Sequence, residues 1–153
     1  MLVKIILTFL ISMVPVIELR GAIPLAVGMG LDYHIAIPVA MVGNLVPVPF
    51  IIFFIRKIFG WMRTKLPKFN RLIDKLENRA NARSETVLRS AFWGLFIFVA
   101  IPLPGTGAWT GAMIAAMLDM RLKKAFPAIV LGVVTAGVIV TVVTALGFDI
   151  FIK

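Results

Sequence analysis

Two short stretches carry residue types that could do chemistry. In PVIELRGAIPL, residues 15–25, Glu18 and Arg20 stand two positions apart in a sparsely charged N-terminal third. A carboxylate can carry a proton and a guanidinium can hold an anion through a planar fork of donors. In PLPGTGAWTG, residues 102–111, Thr106 and Thr110 offer hydroxyls, Gly107 offers open backbone amides and Trp109 one aromatic ring. Gly21 and Pro24 flank the first stretch, and Pro102, Pro104 and Gly105 interrupt the second. Each stretch has a plain structural alternative: a mutual Glu18–Arg20 pair or a pair reaching the headgroups in the first, simple helix breaking in the second.

Other chemistries are weakly served. There are no cysteines, and the single histidine, His34, lies beside Asp32 at an expected membrane interface. Ser12, Ser84 and Ser90 have no base placed near them, so hydrolysis is disfavoured. Carboxylates and histidines are not clustered as a metal would require. No cofactor or metal is expected, and the chain is not expected to be an enzyme.

The elements that must position Glu18 and Arg20 follow from composition. The chain has 153 residues, is 61% hydrophobic and 15% charged, and has a mean hydropathy of +1.04. This predicts an all-α integral membrane protein of one domain, multi-pass, in the plasma membrane. The net charge of +9 falls mostly in one block, as in a cytoplasmic loop against anionic lipid, and no nucleic-acid motif accompanies it. The N-terminal run after Lys4 lacks a small-residue cleavage site and reads as a retained membrane segment.

Charge-free runs cover residues 5–17, 21–31, 35–55, 90–118 and 125–148. A helix needs about 20 apolar residues to span. So 35–55 and 125–148 read as spans, while 5–31 and 90–118 each read as two short limbs around a Pro/Gly-rich break, at Pro15–Gly21 and Pro102–Gly107. Two re-entrant hairpins are the preferred reading, and two kinked spans the alternative. Residues 56–89 carry ten Lys or Arg against three acids. If 90–118 is a hairpin, that block and the cluster Arg121, Lys123 and Lys124 share the cytoplasmic side, as the positive-inside rule prefers. Both termini are then external.

The segments AIPVAMVG (36–43) and AFPAIVLG (125–132) share Ala, Pro and Gly in register. The expectation is an inverted repeat: residues 1–55 and 90–153 each give a hairpin plus a transmembrane helix, joined by a basic amphipathic cytoplasmic helical connector at 56–89. Broken helices meeting near the midplane are typical of secondary transporters. Asn44 reads as a packing hydrogen bond, and Thr135, Thr141 and Thr144 as bonding back to their own helix. Polar tips need more cover than one chain gives, so a homodimer or larger homo-oligomer is expected, with Gly132, Ala136 and Gly137 at the contact.

The segments ELRGAIP (18–24) and PLPGTGAWTGA (102–112) resemble the small multi-drug export protein family. That family looks like a compact, distant relative of the DedA (SNARE-associated, VTT-domain) superfamily. The resemblance implies two facing re-entrant hairpins and movement of lipids, including polyprenyl-phosphate carriers, with proton coupling. Glu18 matches the acidic residue of the first DedA hairpin and is the proton-coupling candidate. That pattern also places an arginine in the second hairpin, whereas here none lies between Arg89 and Arg121 and the hairpin arginine is Arg20. The family name implies export of cationic drugs instead, and a non-transporting channel or scaffold is a third reading. The substrate-binding set is Glu18, Arg20, Gly21, Pro24, Pro102, Pro104, Gly105, Thr106, Gly107, Trp109 and Thr110, and the expected partners are membrane lipids and a lipid-phosphate substrate.

Overall fold

The computed structural model describes residues 1–65, 85–103 and 105–152. Seven helices account for them: α1 (Leu2–Ser12), α2 (Glu18–Gly28), α3 (Tyr33–Leu45), α4 (Pro47–Lys65), α5 (Glu85–Ala100), α6 (Ala108–Met117) and α7 (Leu122–Ile152). No strand occurs among the described residues. The amphipathic connector expected within 56–89 falls largely on residues 66–84, and Pro104 stands alone in the second break; both lie outside the described residues.

Two stretches are long and apolar enough to cross a membrane, Tyr33–Ile58 and Leu122–Gly147, each of 26 residues. At 1.5 Å per residue each reaches about 39 Å, beyond the roughly 30 Å hydrocarbon core. Their outer faces carry large exposed apolar side chains, among them Phe50, Phe53, Phe54, Val142, Val143 and Leu146. Such faces suit lipid and would be costly in water. The protein is therefore a membrane protein whose described residues fold as helices and turns.

The remaining apolar helices are short. α1 and α2 have 11 residues each and α6 has 10, which gives rises of about 15–17 Å, roughly half a bilayer. α1 stops at the segment before Pro15, and its last turn tightens as the Val14 N–H reaches the Ile11 carbonyl at 3.1 Å. α2 then starts at Glu18. This corrects the break expected at Pro15–Gly21. Glu18 and Arg20 lie in the first turn of a helix rather than in irregular backbone, because one tight turn suffices to restart the helix after Pro15.

The turns after α2 and α6 have one geometry. The Leu31 N–H reaches the Ala26 carbonyl at 3.0 Å and the Gly30 N–H the Val27 carbonyl at 2.8 Å. Likewise the Met120 N–H reaches the Ala115 carbonyl at 2.9 Å and the Asp119 N–H the Ala116 carbonyl at 3.1 Å. Both are paired terminal bonds that close on a left-handed residue, Gly30 at φ +77° and Asp119 at φ +51°. The positions lie 89 residues apart. So do the ends of α2 and α6 (Gly28, Met117) and the starts of α3 and α7 (Tyr33, Leu122).

Alanine dominates the crossings. Ala22, Ala36, Ala40, Ala108, Ala112 and Ala125 are fully buried, and small side chains let helix backbones approach closely where lipid provides no hydrophobic drive. α1, α2 and α3 pack together, α5 lies on α7, and α4 lies on α6. Two glycines seal these contacts. A Cβ at Gly43 would fall 2.0 Å from Ser12 Oγ, and one at Gly132 would fall 2.6 Å from Val99 Cβ. Gly137 is similarly closed by Met41, and Ala136 is buried. Gly132, Ala136 and Gly137 are thus spent on contacts inside the chain, which corrects their expected place at a contact between copies: small residues were needed first where α7 crosses α3 and α5.

A candidate site where two helix breaks clasp

Glu18 opens α2 with φ +50°, a left-handed conformation unusual for a side-chain-bearing residue. It is held by its neighbours: the Glu18 N–H bonds the Val14 carbonyl at 3.0 Å and the Gly21 N–H the Ile17 carbonyl at 3.0 Å. Gly21 is needed for this tight restart, since a Cβ there would lie 2.5 Å from Ile17 Cγ2. The conformation turns the Glu18 carboxylate away from its own helix and onto the N-terminus of α6. The Trp109 backbone N–H donates to Glu18 Oε1 at 3.2 Å. That amide is one of the first-turn donors a helix leaves without an internal partner. Glu18 therefore caps α6 from another helix, with its negative charge at the positive end of the helix dipole. Gly107 makes room. A Cβ at that position would sit 2.0 Å from Glu18 Oε2, and its φ of +150° is one that only glycine adopts readily.

Arg20 serves the other side of the same break. Its Nη1 donates to the Leu103 carbonyl, and its Nη2 to the Ile101 carbonyl and to Thr106 Oγ1, both at 3.0 Å. Thr106 Oγ1 also lies 2.7 Å from the Ile101 carbonyl and 2.9 Å from the Leu103 carbonyl. The carbonyls that α5 leaves exposed at its end are thus met by a guanidinium and a hydroxyl. Arg20 Nε is buried without a partner. The return contact comes from Trp109, whose indole Nε1–H donates to the Met13 carbonyl in the first break at 3.0 Å.

Each break therefore caps the other. Glu18 and Arg20 do not pair with each other; the ion pair among the described residues joins Arg56 and Asp119 at 3.0 Å. Of the residues expected at the site, the structure brings together Glu18, Arg20, Thr106, Gly107 and Trp109, with Gly21 supporting from behind. Pro24 lies further along α2, Thr110 is half-buried in α6, and Pro102 and Gly105 are exposed at the turn, Gly105 with φ +84°. The participants that sequence reasoning missed are the carbonyls of Met13, Ile101 and Leu103, which every residue type carries and no motif can flag.

The outer ends of the two short second limbs each meet a cation. Lys4 Nζ donates to the Met29 carbonyl at the end of α2. Arg56 Nη2 reaches the Met120 carbonyl, beside its pair with Asp119, at the end of α6. Thr135, Thr141 and Thr144 bond the carbonyls four residues back in α7, as the sequence suggested. Nothing among the described residues groups His, Asp and Glu as a metal site.

Residues 18–139 match the family described as small multi-drug export protein. The matched region starts at Glu18 and contains the second break, all of the apolar stretch Tyr33–Ile58 and the first two thirds of Leu122–Gly147. No curated protein and no solved structure matches the chain.

Proposed function

Since the chain belongs to the small multi-drug export protein family, we propose that it is a transporter of amphiphilic molecules whose gate is the clasp between the two breaks. One observation carries this reading: a carboxylate, Glu18, occupies the N-terminus of α6 beside a guanidinium, Arg20. A helix N-terminus next to an arginine is a favourable place for a phosphate-like anion. Glu18 holds that place when no substrate is bound. Protonating Glu18 removes its charge, releases the Trp109 amide and leaves Arg20 to attract an anionic headgroup. A lipid phosphate such as a polyprenyl phosphate fits, with its tail in the membrane and its head at the clasp. Proton uptake and substrate binding are then coupled at one position.

The architecture read with this site is an inverted repeat of two re-entrant hairpins, each followed by a span. It is supported by the lengths of α1, α2 and α6 and by the constant spacing of 89 residues between matching helix ends and turns. The Arg56–Asp119 pair supports it further, since it joins the far end of the first span to the turn after α6. If α5 and α6 together crossed the membrane, those residues would lie on opposite faces. The distant kinship to DedA proteins and a homo-oligomeric assembly belong to the same proposal.

Flux of labelled polyprenyl phosphate and of a cationic dye, measured in parallel in proteoliposomes, tests it. Arg20→Ala should lower lipid-phosphate flux by about 10- to 100-fold, the value of a charge-assisted hydrogen bond or two. Arg20→Lys should retain part of it, because the charge stays and the fork is lost. Glu18→Gln should leave flux that no longer varies with pH. The family name favours a second reading, cation export, for which Glu18 would be essential and Arg20 dispensable. Wild-type flux from folded Arg20→Ala and Glu18→Gln variants would end both.

A further inference from the structure

α5 and α6 do not close on each other along their whole length. A trough of about 200 Å³ runs between them, lined by Ala91, Gly94, Leu95 and Phe98 of α5 and by Ile114 and Leu118 on the α6 side. Every residue lining it is apolar. Leu95 is buried at the floor, whereas Gly94 and Leu118 are exposed at the lip. A Cβ at Gly94 would meet nothing within 4 Å, so no neighbouring side chain takes up the space beside it.

The other half of the molecule shows what fills such a gap. Gly43 and Gly132, 89 positions apart, press on the carbonyls of Phe9 and Phe96, which are 87 apart. α1 therefore matches α5 at a spacing of 87, because the second break is two residues longer than the first. On that register Ala91 stands where Lys4 does, and Leu118 stands where Met29 does. Lys4 reaches from α1 to the Met29 carbonyl, so its four-carbon stem bridges α1 and α2. Ala91 has a single methyl and bridges nothing. The walls of the trough are left without the dispersion contacts that a filler would supply, and an apolar space of this kind does not hold water.

In a membrane the filler at hand is hydrocarbon. The volume falls below the roughly 300–1,000 Å³ of pockets for drug-sized molecules, which suits a single chain better than a ring system. The sequence just beyond Leu118 supplies charge. Arg121, Lys123 and Lys124 are exposed, and none has an ion pair among the described residues, while Asp119 is engaged by Arg56. These three cations stand at one end of the apolar stretch Leu122–Gly147 and so at headgroup level. Cations at that level attract anionic headgroups.

We infer that the trough between α5 and α6 is a binding site for an anionic phospholipid, with one acyl chain along Gly94 and the headgroup phosphate against Arg121, Lys123 and Lys124. The trough stops at Phe98, short of the Ile101 carbonyl that Arg20 holds. The bound lipid is therefore separate from whatever the Glu18–Arg20 clasp handles.

Thermal unfolding of the full chain in a neutral detergent, titrated with phosphatidylglycerol or with phosphatidylcholine of the same chains, tests this without any transport assay. Phosphatidylglycerol at a few times its dissociation constant should raise the wild-type midpoint by about 2–4 °C, saturably. Phosphatidylcholine should bind about 10-fold more weakly or less. Gly94→Leu fills the trough, and Ala91→Lys copies the arrangement at Lys4. Each should abolish the shift, and the second covers the case in which the leucine variant does not fold. Arg121→Gln, Lys123→Gln and Lys124→Gln together should weaken phosphatidylglycerol by about 10- to 100-fold. Gly147→Leu, at an open glycine elsewhere on α7, should keep the full shift, as should Arg20→Ala. The site is refuted if wild type shows no saturable shift, if Gly94→Leu and Ala91→Lys both keep it, or if the two lipids bind equally. Loss of the shift in Arg20→Ala would put the lipid at the clasp instead. A wild-type dimer that Gly94→Leu splits into monomers would put a second copy in the trough, and either result overturns the inference.

Discussion

Residues 18 and 107 stand 89 positions apart, each with positive φ and each at the start of a short helix, yet one is glutamate and the other glycine. Residues 20 and 109 hold the same relation. Arg20 reaches across to carbonyls at 101 and 103, and Trp109 reaches across to the carbonyl of Met13. The mechanical task is shared: an interrupted helix leaves backbone groups at its ends without partners of their own. The first break answers with charges and the second with neutral groups. The charged half can change its state by gaining a proton or meeting an anion, whereas the neutral half can only hold or let go. That asymmetry is why the functional proposal rests on residues 18 and 20, with 107 and 109 as their sockets.

The largest effect should come from removing the room that the neutral half gives the charged one. Gly107→Ala puts a Cβ 2.0 Å from Glu18 Oε2 at a backbone φ of +150°. The Glu18 side chain could swing aside, but only by abandoning its cap on α6. Backbone strain of about 1–3 kcal/mol and loss of a cap worth about 1 kcal/mol then add, near 3 kcal/mol in all. Denaturant unfolding in micelles should show this loss. Near-wild-type stability would mean that the two breaks are not tightly seated.

Much of this arrangement could be anticipated from residue types, and the limits are instructive. Prolines and glycines marked both breaks because their backbone chemistry is local. The shared A-x-P…G pattern gave the 89-residue spacing. The pairing of Glu18 with Arg20 was the natural guess from proximity in sequence, and it fails because α2 begins at Glu18. On a helix, residues two apart do not face each other, so each side chain is free to find a separate partner. Those partners are an amide and carbonyls of the other break, invisible in a string of side chains. Gly132 and Gly137 were legible as close-contact residues, but hydropathy cannot say whether the contact is within the chain or between chains. The packing hydrogen bond expected of Asn44 is absent, its buried amide having no partner among the described residues; a sequence never shows such a lack.

A smaller effect should follow from weakening the neutral half alone. Trp109→Phe keeps most of the ring and removes the indole N–H, leaving the Met13 carbonyl without its 3.0 Å donor. The cost should be about 1–2 kcal/mol, that of an unsatisfied group in a partly buried place. The Glu18 cap uses the backbone N–H of residue 109 and should survive. The expected signature is lower stability with an unaltered pH dependence of flux. A pH dependence that shifts with Trp109→Phe would show that the neutral half takes part in proton coupling.

The smallest effect concerns the two turns that close α2 and α6. Gly30 and Asp119 hold the same left-handed position, and only Asp119 carries a Cβ there. Strain for a non-glycine residue in that region is roughly 1–2 kcal/mol, at the low end for aspartate, which tolerates it best. Against this stands the ion pair of Asp119 with Arg56, whose side chains are 66% and 34% exposed. Exposed pairs contribute about 0–1 kcal/mol. Asp119→Gly removes both terms, so they should nearly cancel and leave stability within about 0.5 kcal/mol of wild type. Asp119→Ala removes the pair but keeps the strain, and should cost about 1 kcal/mol more than the glycine variant. Unfolding midpoints of the two variants, measured side by side, separate the terms. A loss above 2 kcal/mol for Asp119→Gly would mean that the tether from Arg56 to the end of α6 counts for more than an exposed pair. The C-terminal end of α6 would then be anchored as firmly as its start.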